Sequence, residues 1–298
     1  MKILVISSTR IGDAVLSTGI INHLAFAHPE ARFTIACGPV AEGVFTRFPA
    51  LESLIIVKKR TYDRHWLDLW RRVVGTKWDL VVDVRGSPLS WLIRTKARAV
   101  MRGGRRKGHR LTHLAAILNL TPPPLPVTWT APEDRTRAAT LLPEGEIYLG
   151  LGPTANWTGK VWPPERFVAL YHALTAPDGP LPGARAVIFG GPGTNERTLA
   201  APVLSVLPGA IDLVGALTLP EAAACLTRCA LFVANDSGLM HLSAAAGTPT
   251  LGLFGPTPAS EYGPSGRQAS YVAASNDLVP IDQLTLEAAI NGAQQLLG

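Results

Sequence analysis

Several features are scarce or missing in this sequence of 298 residues, and each absence removes a class of protein. Its apolar runs are no longer than a strand, so no segment reads as a membrane span. The three cysteines, Cys37, Cys225 and Cys229, are odd in number and lack metal-ligand spacing. They read as small buried hydrophobes in a reduced compartment, not as a disulfide or zinc framework. No Asp-x-Asp pair of the kind that holds a divalent ion against a diphosphate occurs. The first strand is not followed by the Gly-x-Gly-x-x-Gly turn of a dinucleotide-binding oxidoreductase. Repeats and low-complexity tracts are absent too. The chain opens directly on a strand pattern without signal-peptide character, from which a cytoplasmic location is expected.

What is present is a globular composition, 47% hydrophobic and 17% charged, long enough for two domains. The overall charge of +6 conceals an asymmetry. Residues 1–140 hold 22 Lys and Arg against 10 Asp and Glu, whereas residues 141–298 hold 6 against 12. The basic blocks Arg94-Thr-Lys-Ala-Arg98 and Arg102-Gly-Gly-Arg-Arg-Lys107 suit phosphates or an anionic membrane surface. They equally suit a solvated basic face with no specific partner.

Short apolar strands alternate with helices in both halves, which predicts parallel sheets covered on both faces. In the first half, strands are expected at 2–7, 32–36, 53–57 and 79–83, with helices at 13–27, 40–48, 65–74 and 113–118. Thr121-Pro-Pro-Pro-Leu-Pro126 is stiff and extended, so the linker is placed near residues 121–145. The rhythm then resumes, with strands at 147–151, 184–189, 211–214, 231–234 and 250–254. Helices are expected at 164–175, 194–206, 219–227, 240–246 and 284–297. The expected fold is α/β, with two Rossmann-like doubly wound domains facing a cleft, residues 1–130 and 131–298. The last helix is free to pack on either domain. Ligands of such folds bind at the carboxyl ends of the strands.

Four strand-to-helix turns carry the unusual residues. The first is Ser7-Ser-Thr-Arg-Ile-Gly-Asp13. Asp13 at a helix start suits a general base toward an incoming hydroxyl, but capping the helix and complementing its dipole explains it as well. The second, from Gly150 through Thr154 to Lys160-Val-Trp-Pro163, sets one of the few basic residues of the acidic half beside a helix start. That suits a diphosphate; plain surface solubility is the alternative. The third is Gly190-Gly-Pro-Gly-Thr-Asn-Glu196, where Glu196 could hold ribose hydroxyls or serve as a helix-start carboxylate. The fourth and most informative runs from Asn235-Asp-Ser-Gly-Leu-Met-His241 to Gly255-Pro-Thr257. Its helix start offers N–H groups to a diphosphate, and His241 fits either a ligand-facing or a packed role.

Taken in order, these motifs and Arg10-Ile-Gly-Asp-Ala-Val-Leu-Ser-Thr18 resemble the heptosyltransferase family of lipopolysaccharide assembly, glycosyltransferase family 9, over essentially the whole chain. The resemblance implies a GT-B fold with an acceptor domain followed by a donor domain. It further implies inverting transfer of a heptose, or a related sugar, from ADP-heptose or a similar nucleotide sugar to a lipopolysaccharide core or other surface glycan. Asp13 would activate the acceptor and Lys160 would bind donor phosphate. Glu196 would hold the ribose and Asp236 the hydroxyls of the sugar. Ser237, Gly238 and His241 would line the diphosphate site, with Leu217 near the base and Thr154 also on the donor side. Arg10, Arg85, Arg105, Arg106 and Lys107 are the candidates for an anionic acceptor. No cofactor or metal is expected, nor a nucleic-acid partner; peripheral contact with the inner membrane surface is. The chain is shorter than typical members, and Ser237 stands where several of them carry Thr. Rival readings are a non-catalytic sugar-nucleotide or glycan-binding protein of the same fold and an NAD-dependent oxidoreductase.

Overall fold

The structure, a computed structural model, describes residues 1–102, 107–274 and 279–298. It divides into two compact units, Met1–Trp129 and Thr130–Gly298.

The N-terminal unit runs β1 (Lys2–Ile6), α1 (Ile11–Ala27), β2 (Arg32–Cys37), α2 (Glu42–Phe45), β3 (Leu51–Ile56), α3 (Arg64–Val73), β4 (Trp78–Asp83), β5 (Thr95–Val100) and α4 (Arg110–Ala116). Its strands form one parallel sheet in the order β3-β2-β1-β4-β5. The central strand β1, Lys-Ile-Leu-Val-Ile, is buried from Ile3 to Ile6, as a strand covered on both faces must be. α1 is buried nearly all round, from Ala14 to Ile21, because it is covered on two sides. One cover is the sheet. The other includes the proline-rich segment: Val127 N donates to Thr18 Oγ1 at 2.8 Å, and a Cβ on Gly19 would stand 2.4 Å from the Pro124 carbonyl oxygen. Most of the stretch read as a linker is therefore folded. It ends on Trp129, whose ring packs 4.6 Å from that of Phe48.

The C-terminal unit runs α5 (Pro132–Leu141), β6 (Tyr148–Gly152), α6 (Pro164–Thr175), β7 (Arg185–Gly190), α7 (Thr194–Val206), β8 (Ile211–Val214), α8 (Leu219–Leu226), β9 (Leu231–Asn235), α9 (Gly238–Ala246), β10 (Thr250–Phe254), α10 (Ala259–Tyr262), β11 (Ala269–Ala273) and α11 (Leu286–Leu297). Its parallel sheet has the order β11-β10-β9-β6-β7-β8. α11 packs on α6, β10 and β11 of this same unit. Among the described residues no helix is long and apolar enough to cross a membrane.

The alternation of strand and helix is as expected, with instructive exceptions. β5 and β11 are edge strands that the apolar pattern does not reveal. The sequence of β5, Thr-Lys-Ala-Arg-Ala-Val, carries the exposed charges that keep an edge from pairing further. The helix expected at 40–48 is instead a 3-10 turn, Pro39–Ala41, followed by the single turn of α2. Helix α5 forms inside the expected linker, opened by Pro132 and by Asp134, whose carboxylate accepts from Ala131 N at 2.8 Å.

Candidate functional site

In each sheet the strand order reverses beside the first strand of the unit, between β1 and β4 and between β6 and β9. Such switch points open a crevice at the carboxyl ends of the strands, and the polar clusters lie there.

In the N-terminal unit, Asp13 occupies the first turn of α1, where its charge complements the helix dipole. It does not cap the helix: the cap position is Arg10, which makes no side-chain capping bond. Asp13 Oδ1 lies 3.6 Å from Arg110 Nε, both side chains about one-third exposed or less. The two border a pocket of about 310 Å³ lined also by Ser8, Val84, Arg85, Arg102 and Leu114. A single carboxylate thus shares the pocket with three guanidinium groups. Arg85 was a candidate from the sequence; Arg102 and Arg110 were not, although Arg102 opens one of the basic blocks. Arg10 and Lys107 are exposed nearby in the chain but do not line this pocket, and Arg105 and Arg106 lie outside the described residues.

A residue that sequence reasoning passed over sets the pocket's shape. Asp83, fully buried at the end of β4, accepts from Arg85 N at 2.9 Å and Gly86 N at 3.0 Å through one oxygen. The other accepts from Ser87 N at 2.8 Å and Ser87 Oγ at 2.6 Å. A buried carboxylate without such partners would be strongly unfavourable. Here it closes the turn on itself, with Gly86 in the left-handed region at φ 66°. The turn directs Arg85 outward, where its guanidinium stacks 4.8 Å from the Trp66 ring centroid.

In the C-terminal unit, the loop after β6 and the turns after β9 and β10 converge. Lys160 Nζ lies 2.5 Å from Asp236 Oδ2, and Thr257 Oγ1 donates to that same oxygen at 2.7 Å. The Lys160 and Asp236 side chains are 19% and 8% exposed, so the pair is largely desolvated and rigidly oriented. Beneath it, Trp162 N donates to Asn235 Oδ1 at 3.0 Å, and the fully buried Trp162 indole donates to the Leu284 carbonyl at 2.9 Å. These bonds fix the Lys160 loop on β9. The sequence placed Lys160 and Asp236 on one sheet edge but not in contact, and Thr257 was not a candidate.

Ser237 caps α9, its Oγ accepting from Met240 N at 3.4 Å. Gly238 is the first residue of that helix, and His241 is buried one turn in. Thr154 is buried after β6. Glu196 and Leu217 follow β7 and β8, one and two strands beyond β6. Glu196 Oε2 accepts from Gly191 N at 3.0 Å, folding its carboxylate over the glycine turn.

Among the described residues no group of three or more His, Cys, Asp or Glu stands together. Burial pushes the Cys37 and Cys225 thiols up to about 12 and raises that of Cys229, so none is poised as a nucleophile.

Two parallel-sheet α/β units, each with its polar cluster at a switch point, define the GT-B class of fold. Residues 114–280, more than half of the chain, match glycosyltransferase family 9 (heptosyltransferase), and the chain belongs to that family. It is 23% identical over 283 residues to lipopolysaccharide heptosyltransferase 3 of Escherichia coli, covering 83% of this chain and 81% of that protein. The glycosyl transferase family 9 structure from Veillonella parvula superposes with a TM-score of 0.82 at 23% identity, over 99% of this chain and 97% of that one. The E. coli heptosyltransferase WaaC solved with ADP gives a TM-score of 0.77 at 18% identity, over 99% and 100% of the two chains.

Proposed function

We propose that this chain transfers a heptose, or a related sugar, with inversion from ADP-heptose or a similar nucleotide-diphosphate sugar. The acceptor is an anionic glycan of the lipopolysaccharide-core type. Membership of the heptosyltransferase family carries the reading, and the contents of the two switch points support it. Residues 1–130 would take the acceptor, and residues 131–298 the donor.

In this reading Asp13 accepts the proton of an acceptor hydroxyl. That oxygen bonds to the anomeric carbon from the face opposite the diphosphate, the bond from that carbon to the diphosphate oxygen breaks, and the nucleoside diphosphate leaves with the electron pair. One displacement inverts the centre. Arg85, Arg102 and Arg110 supply charge for an anionic acceptor, with Arg10 and Lys107 near them in the chain. Lys160 and the N–H groups at the start of α9, behind Ser237 and Gly238, neutralise the leaving diphosphate without a metal ion. For this, Lys160 exchanges Asp236 for phosphate, which releases Asp236 and Thr257 to sugar hydroxyls. Glu196 takes the ribose, Leu217 borders the base, and Thr154 and His241 complete the donor side. The acceptor class places the enzyme at the inner membrane surface, as a peripheral protein on the cytoplasmic side.

A thermal-shift series with ADP, GDP, UDP, dTDP, CMP and NAD in the presence of a chelator tests the donor side. Stabilisation by ADP is expected; at a hundredfold excess over Kd it amounts to about 2.7 kcal/mol. Stabilisation by NAD instead, or by none of the six, would sink the reading. Release of ADP from the nucleotide sugar then separates an enzyme from a non-catalytic binder.

A further inference from the structure

One face of the N-terminal unit holds aromatic and cationic side chains together in solvent. After the Asp83 turn the chain forms a 3-10 turn, Pro88–Trp91, and runs on to β5. Leu89 and Ile93 of this stretch are buried in the core beside Leu69 and Val73 of α3. Between them Trp91 and Leu92 point outward, 65% and 66% exposed.

The exposure is built into the fold. Trp70 Nε1 donates to the Leu92 carbonyl at 3.1 Å, and Arg98 donates to the carbonyls of Ser90 at 2.8 Å and Ile93 at 2.9 Å. The Arg98 guanidinium also lies 5.6 Å from the Trp91 ring centroid. Five backbone and side-chain anchors, with the Ser90 hydroxyl bonded to the Ser87 carbonyl at 2.9 Å, hold the tip in place. Two large apolar side chains are thus kept in water by a rigid support, which marks an interaction surface. Arg94 is exposed two residues beyond Leu92, and Arg71, next in the chain to Trp70 on α3, is 65% exposed with its guanidinium 3.9 Å from the Asp68 carboxylate.

The charge selects the partner. A second copy meeting this face by two-fold symmetry would set arginines against arginines. An anionic bilayer satisfies both components. Indole rings settle at headgroup level, a leucine reaches the acyl boundary, and each Lys or Arg near the surface adds attraction. We propose that the Trp91–Leu92 tip, flanked by Arg71 and Arg94, docks the N-terminal unit onto an anionic lipid bilayer. The inference rests on the proposed lipid-linked acceptor, because such an acceptor lies in that surface.

Co-sedimentation of the full chain with vesicles tests it, using phosphatidylcholine alone and phosphatidylcholine mixed with phosphatidylglycerol, at low and high salt. The protein should bind the mixed vesicles, and salt should weaken the binding. Trp91→Ser with Leu92→Ser should lower partitioning about tenfold or more, since both side chains lose their apolar contact. Arg71→Glu with Arg94→Glu should lower it comparably at low salt. Turnover of a delipidated, water-soluble acceptor should be unchanged in both double variants. Failure of the parent protein to bind mixed vesicles, or undiminished binding by the Ser–Ser variant, would overturn the proposal. Conversion of a dimer to a monomer by that variant, without an effect on vesicles, would assign the face to a second copy. A failure of the transferase reading is distinct, because the parent protein would then turn over no soluble acceptor whatever it did with vesicles.

Discussion

The two units share a framework and oppose each other in charge. Met1–Trp129 carries 20 Lys and Arg against 8 Asp and Glu, and Thr130–Gly298 carries 8 against 14. Both are doubly wound parallel sheets whose order reverses beside their first strand. At that reversal the N-terminal unit sets one carboxylate among three arginines, whereas the C-terminal unit sets one ammonium against a carboxylate and a hydroxyl. The framework is therefore indifferent to the chemistry it carries, and a few residues in two turns decide it. The clusters also differ in what completes them. Asp13 borders an open pocket of about 310 Å³ with three guanidinium groups, while Lys160 already has its counter-charge in Asp236.

Substitutions can break this contrast, and Asp13→Ala should have the largest effect. Loss of a general base lowers turnover on the order of a thousandfold, while stabilisation by ADP should persist because the donor unit is untouched. If ADP stabilisation disappeared instead, Asp13 would be a structural residue. Lys160→Ala is the mirror experiment, expected to lower turnover about a hundredfold and to weaken ADP stabilisation with it. Intact ADP binding in that variant would mean that Lys160 serves only to pair Asp236.

The smallest effect is expected at Asp83, whose two oxygens are both engaged by its own turn. Asp83→Asn replaces one acceptor oxygen with an NH₂ facing backbone N–H groups, which should cost about 1–3 kcal/mol of stability and lower Tm. Because the turn aims Arg85, KM for the acceptor should also rise while ADP binding holds. A lowered Tm without a change in KM would restrict Asp83 to folding.

The share of this molecule legible in the sequence follows from the range of the interactions involved. Periodicity and composition are local properties. They announced the buried strands such as β1 and β9, the helices between them, and the turns bearing Asp13, Lys160, Glu196 and Asp236. Edge strands β5 and β11, Thr-Lys-Ala-Arg-Ala-Val and Ala-Ser-Tyr-Val-Ala, escaped because polar residues interrupt them, whereas the edge strands β3 and β8 keep the apolar runs Leu-Ile-Ile and Leu-Val that announce a strand. The proline-rich stretch read as a spacer because nothing local in it tells that Thr18 and Gly19 wait on α1 to receive it.

The sequence by itself determined the class of fold, the charge contrast between the halves and the order of the motifs, since each is written in neighbouring residues. Only the tertiary structure decided that Lys160 bonds Asp236 across 76 positions of chain, that Arg102 and Arg110 join Arg85 around Asp13, and that a buried Asp83 shapes the turn between them. The first two are contacts between segments remote in the chain, and their partners are chosen by strand order, which no single segment encodes. The Asp83 bonds are local, but they matter because the end of β4 is buried.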